Sequence, residues 1–262
     1  MKKYFKGFLM AISMFTVIPL PRYEWDDEGG KNIMKFYPVI GLIVGLIWYG
    51  AFRLLSLLGA SIMVTTAITL ITPFILTGML HLDGYMDVCD ALLSRRNKEE
   101  KLRILKDPHT GAFAVISVAM LFIVNFSGIY TVISNSIQGN SVNNNINTSA
   151  IGLVLIPIIS RSLMGYLLLS KESMKGSSLG AFFKQGTGKV DRVILLSCLI
   201  ISSIILVDIF GAYGLIISLA MILVSTFLVN NAAKEFGGIS GDSAGYGLVI
   251  AETIGILILS FI

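Results

Sequence analysis

Charge is scarce in this chain. Only 14% of its 262 residues are Asp, Glu, Lys or Arg, against about 25% in a soluble globular domain. With 55% hydrophobic residues and a mean hydropathy of +0.81, that scarcity excludes an ordinary soluble domain and leaves a polytopic membrane protein. The length suits one membrane domain over 1–262. Cysteine is also nearly absent. Cys89 sits in an acidic stretch and Cys198 in an apolar run, which excludes a disulfide framework. The first residues begin like a signal peptide but lack a small-residue cleavage site and lead into PLPRYEWDDEGG. A net charge of +4 and a pI near 9.0 would suit nucleic acid. The basic residues, however, lie in short loops between apolar runs, so membrane orientation explains them better and no nucleic acid is expected.

A membrane helix takes about 20 mostly apolar residues. Seven runs qualify, over 38–58, 61–80, 111–134, 150–169, 193–209, 212–229 and 244–262. The expected fold is all-α, a bundle of about seven transmembrane helices. Lysines and arginines fall before the first run and in the connections that follow the second, fourth and sixth runs. The 134–150 and 209–214 connections have none. With a cytoplasmic N-terminus every basic loop falls inside. An eighth apolar stretch, 5–20, has basic residues on both flanks and reads as an interfacial or re-entrant helix rather than a crossing. The expected location is the cell membrane.

Against this apolar background stands HLDGYMDVCD, 81–90. Asp83, Asp87 and Asp90 are spaced i, i+4, i+7 and share one face of an α-helix. Stacked like charges repel, so something positive is expected there. A solvated helix end explains such acids on a soluble protein, but ionisable groups at a membrane boundary are functional by default. Carboxylate oxygens suit Mg²⁺, which commonly takes one or two of them together with substrate phosphate oxygens. Gly84 permits close approach of a backbone or ligand, and His81 is positioned to hydrogen-bond a phosphate or carboxylate. Arg95, Arg96 and Lys106 follow, with other basic residues, as candidates for an anionic substrate. Asp107 in KDPHTG then precedes Gly111, which opens the third run. If these helices are antiparallel neighbours, Asp107 returns to the face of the other three acids, and the four carboxylates become candidate metal ligands.

Two further constellations stand out. FGGISGDSAGYGLVIAE, 236–252, places Gly237, Gly238, Gly241 and Asp242 before the last run. Asp242 or Ser243 is the expected helix cap, with backbone N–H groups open to phosphate. Glu252 lies inside the last run and Arg161 inside the fourth. A buried Arg161–Glu252 pair is the preferred reading, with substrate contact by Arg161 as the other.

HLDGYMDVCDALLS, KDPHTGAFAV and GGISGDSAGYGLVIAE, together with FTVIPLP at 15–21 and FYPVIGLIVG at 36–45, resemble the cobalamin synthase (adenosylcobinamide-GDP ribazoletransferase) family over nearly the whole chain and in order. The resemblance implies an integral membrane, Mg²⁺-dependent transferase. Its implied substrates are adenosylcobinamide-GDP and α-ribazole or its 5′-phosphate. The implied products are adenosylcobalamin or its 5′-phosphate and GMP, with Asp83, Asp87, Asp90 and Asp107 in the catalytic site. Homo-oligomerisation, or a complex with other cobalamin-assembly enzymes, is left open. Residues 85–89 are bulkier than the family pattern, and His109 and Thr110 also depart from it. A membrane prenyltransferase would show two separate D-x3-D motifs, and a CDP-alcohol phosphotransferase a D-G-x2-A-R element. The chain has one motif of the first kind and lacks the A-R of the second. A transporter would carry its acids near midspan.

Overall fold

The computed structural model describes residues 2–20, 25–138 and 148–262. Among the described residues the regular structure is helical, apart from one isolated parallel bridge between Ser173 and Ile239. α1 (Lys2–Phe15) and the short α2 (Asp27–Gly30) lead through a 3-10 turn, Ile33–Phe36, into α3 (Tyr37–Leu57) and α4 (Ile62–Leu76). α5 (Leu80–Leu93) carries the acidic stretch, and α6 (Lys98–Ile104) the basic one. Then come α7 (Ala112–Gln138), α8 (Thr148–Ser170), the short α9 (Ser178–Lys184), α10 (Lys189–Phe210), α11 (Ala212–Phe236) and α12 (Gly241–Leu259).

Six helices are individually long and apolar enough to cross a bilayer, and α4 with α5 makes a seventh candidate that is bent by 90°. The continuous run expected over 61–80 is therefore corrected. Pro73 lies inside α4, the Thr77 hydroxyl donates to the Pro73 carbonyl at 2.8 Å, and Gly78 and Met79 both take positive φ, 59° and 63°. Two successive left-handed residues cannot continue a helix, and glycine takes the first at no steric cost. The corner is sealed when the Met79 N–H donates to the Phe74 carbonyl at 2.8 Å. α1 is not among the helices able to cross. It ends at Phe15 rather than at 20 and packs on α2, the 3-10 turn and α3. The expected uncharged loop at 134–150 lies largely outside the described residues, and Arg22 and Glu24 do too. Asp26 caps α2, accepting from the Gly29 N–H and from Lys6, so the acids at 26–28 serve a local turn.

α8 is the most enclosed of the crossing helices and packs on α3, α10 and α12. Within this core Arg161 is 1% exposed and pairs with Glu252, which also accepts from the Ser160 hydroxyl at 2.9 Å. The ion pair ties α8 to α12 and keeps either charge from being buried alone. The connections between helices meet at one end. Lys35 pairs with Asp191 at 3.5 Å, and Lys101 with Glu235 at 2.7 Å. The Ile239 N–H donates to the Glu172 carbonyl at 2.8 Å. The basic loops of the sequence reading thus share one end of the bundle.

Glu252→Leu leaves a buried guanidinium unpaired and should lower stability by about 3–5 kcal/mol. Adding Arg161→Met should recover most of that loss. Denaturant unfolding in detergent micelles checks both, and a single variant as stable as the parent would contradict the pairing.

Candidate functional site

α5 presents two chemically different faces. Leu82, Tyr85, Val88, Cys89 and Ala91 are buried against neighbouring helices, whereas Asp83 is exposed and Asp87 and Asp90 are half-buried. The buried face rests on α12 and α7. The α5–α12 crossing is close because two glycines lie at it. A Cβ on Gly84 would fall 2.8 Å from the Cα of Asp242, and one on Gly245 3.1 Å from the carbonyl oxygen of His81. The Tyr85 and Tyr246 rings stack beside the crossing at 5.9 Å. Asp242 is thereby brought to the acids of α5. Burial, and then Asp83, Asp242 and Asp90, all oppose charge on Asp87.

The four acids Asp83, Asp87, Asp90 and Asp107 do not gather into one cluster. Among the described residues no three His, Cys, Asp or Glu side chains converge as a preformed metal cage. Asp90 reaches the start of α7, where its carboxylate lies against Gly111 and accepts from the Ala114 N–H at 3.4 Å. That contact does bring the KDPHTG end of the loop to α5, as the antiparallel reading requires. Asp107 itself is exposed and closes its own turn. It accepts from the His109 N–H at 2.9 Å and lies 2.7 Å from His109 Nδ1. Those two bonds, backbone first, hold its carboxyl below the ordinary value, and Arg103 adds to the effect. Asp242, read from the sequence as a substrate contact, joins Asp83 and Asp87 in place of Asp107.

Other expectations also change on folding. His81 is 7% exposed and lines a pocket beside the acids; its Nε2 lies 2.9 Å from the Tyr37 hydroxyl, while its Nδ1 is buried without a partner. Arg161 is buried with Glu252, the preferred of its two readings. The α12 cap is Ser240, not Asp242 or Ser243, and its hydroxyl accepts from the Ser243 N–H at 3.2 Å. Gly237 ends α11 with φ of 78°, and Gly238 sits at the backbone pairing with 172–174, where a Cβ would meet the Met174 nitrogen at 2.5 Å. Gly241 is the first residue of α12 and lines a pocket. Arg95, Arg96 and Lys106 are exposed, and Lys106 lies near Gly176 of the 171–189 loop.

The pocket beside the acids has a volume of about 100 Å³. Asp83 and Asp242 are on its wall, and so are Phe15, Tyr37, His81 and Phe183. None of those four rings except His81 was singled out from the sequence. Phe15 and Tyr37 lie in the FTVIPLP and FYPVIGLIVG stretches and Phe183 in the 171–189 loop, and only the fold brings these segments to one pocket.

Apolar helices long enough to cross a bilayer, with a pocket bordered by acids, define a polytopic helical membrane protein. Comparison with known proteins narrows this. The cobalamin-5-phosphate synthase family model matches residues 7–260. The chain is 52% identical to an adenosylcobinamide-GDP ribazoletransferase of Clostridium perfringens (strain SM101 / Type A), over all of both chains. It is 47% identical to one from Clostridium botulinum (strain Alaska E43 / Type E3), over 98% of this chain and 97% of the relative. A third, from Geobacillus thermodenitrificans (strain NG80-2), is 30% identical over 97% of this chain and 95% of the relative. No solved structure matches the chain. The chain belongs to the cobalamin-5-phosphate synthase family.

Because burial and three neighbouring carboxylates oppose charge on Asp87, Asp87→Asn should raise the melting temperature of chelator-treated protein at neutral pH by a few degrees. A lower melting temperature in micelles would show that the acids do not repel one another across this site.

Proposed function

We propose that the chain is an adenosylcobinamide-GDP ribazoletransferase acting at the cytoplasmic face of the cell membrane. The observation that carries this reading is that Asp83 and Asp242 line one pocket, where Gly84 lets α5 meet the start of α12, in a chain similar end to end to enzymes of that name. The acceptor is α-ribazole or its 5′-phosphate. Its hydroxyl oxygen attacks the phosphorus on the corrinoid side of the diphosphate. The bond from that phosphorus to the bridging oxygen breaks, GMP departs, and the hydroxyl proton passes to a carboxylate of the site.

The donor chemistry fits Mg²⁺. The acidic side chains of the site, Asp83 and Asp242 on the pocket wall with Asp87 beside them on α5, offer carboxylate oxygens. Asp83, Asp87 and Asp242 are the residues placed to hold the ion. Mg²⁺ commonly takes its remaining ligands from substrate phosphate oxygens and water. When bound, Mg²⁺ supplies neutralisation of the diphosphate and of the charge that develops on the leaving group. The chain's own part is positional. The α5–α12 crossing fixes the carboxylates, and the exposed Arg95, Arg96 and Lys106 attract the anionic guanylyl end. The concentration of basic connections at this end supports a cytoplasmic orientation.

Purified protein in lipid nanodiscs, given adenosylcobinamide-GDP and α-ribazole, should release GMP. Chelation should stop the release and Mg²⁺ should restore it. Asp83→Asn should slow it by ~10²-fold or more, the scale of losing one electrostatic contact to a developing charge. Normal turnover by Asp83→Asn, or no GMP from the parent protein, would overturn the reading.

A further inference from the structure

The pocket beside the acids is assembled from parts with no other shared task. Its roof is Phe15, the last residue of α1, and Phe183 of α9, and neither helix is among those able to cross a bilayer. The two rings lie 6.1 Å apart and 25° from parallel. Phe15 also meets Tyr37 at 4.5 Å and lies nearly parallel to His81, 6.4 Å away. The polar side chains on the wall are Tyr37, His81, Asp83 and Asp242. The first two are bonded to each other through His81 Nε2, which leaves His81 Nδ1, buried without a partner, as a ring nitrogen open to a bound base.

This lining discriminates among the three parts of the proposed substrates. The cavity, about 100 Å³, is smaller than the roughly 300–1,000 Å³ of pockets that hold whole small molecules, so it has room for one flat ring system rather than a complete substrate. A corrin ring with its side chains is several times bulkier than a nucleoside base. A guanine would fit by size, but its edge is dense in donors and acceptors, which an aromatic wall would leave unpaired at a cost. An apolar fused-ring base suits both the size and the chemistry, since flat rings gain from offset stacking against Phe and Tyr.

We propose that this pocket is the acceptor subsite. Phe15, Tyr37 and Phe183 hold the fused-ring base of α-ribazole, and its ribose faces Asp83 and Asp242. The guanylyl group of the donor binds elsewhere, on the basic surface. This assignment rests on the transferase reading above, and it adds which substrate enters which cavity.

The test is steady-state kinetics in nanodiscs with both substrates varied. Phe183→Ala should raise KM for α-ribazole about tenfold, with KM for adenosylcobinamide-GDP changed by less than about twofold, the scale of one lost aromatic contact. A general loss of folding would not move one KM selectively. In the unaltered enzyme, the free base of α-ribazole should compete with α-ribazole, and guanine should not. Equal rises in both KM values, a rise confined to adenosylcobinamide-GDP, no rise in either, or competition by guanine would overturn the assignment while leaving the transferase reading intact. Should Phe183→Ala fail to fold, the competition measurement decides alone. Absence of GMP release by the unaltered enzyme instead contradicts the transferase reading. In that case calorimetry with α-ribazole alone tests the pocket, and no binding would overturn the assignment.

Discussion

Like charges held together against their own repulsion set the terms for the rest of this molecule. Asp83, Asp90 and Asp242 all act on Asp87, and burial adds to the effect. Such an arrangement survives only where packing elsewhere enforces it. Here the enforcement is the glycine-mediated crossing of α5 over the start of α12, backed by the Tyr85–Tyr246 stack and the buried face of α5. In the proposed function, that repulsion is what a bound cation relieves.

The contrast with the second charged pair in the fold is instructive. Arg161 and Glu252 lie deeper, but each has its opposite, and Ser160 completes the carboxylate's hydrogen bonding. That pair joins α8 to α12 and demands nothing from outside. The acids at the bundle end have no such internal partner among the interactions around Asp87. One helix, α12, contributes to both groups: Glu252 to the paired charge of the core and Asp242 to the acids of the proposed site.

Much of this was legible in the residues. Apolar runs marked the crossing helices because a bilayer imposes length and hydrophobicity on each one separately. The i, i+4, i+7 spacing put three acids on one face of α5, and the Arg161–Glu252 pair followed from the cost of burying either alone. Tertiary geometry hid the rest. The 90° corner at Thr77–Met79 lies within a sequence that reads as continuous apolar helix, with Gly78 as its only local sign. Asp107 looked like a fourth member of the acidic group by topology, yet its bonds to His109 satisfy it locally. Asp242 takes its place because Gly84 admits the α12 backbone, a relation between residues far apart in the chain. The aromatic roof from α1 and α9 left no periodic signal, since each ring comes from a different short element.

The central claim is that the carboxylates brought together at the α5–α12 crossing bind a divalent cation along with a diphosphate ester. Mn²⁺ titration followed by electron paramagnetic resonance, on protein in nanodiscs with adenosylcobinamide-GDP, tests it most directly. The expected result is bound Mn²⁺ that requires the nucleotide for tight binding and is lost in both Asp83→Asn and Asp242→Asn. Undiminished Mn²⁺ binding in both variants would contradict it.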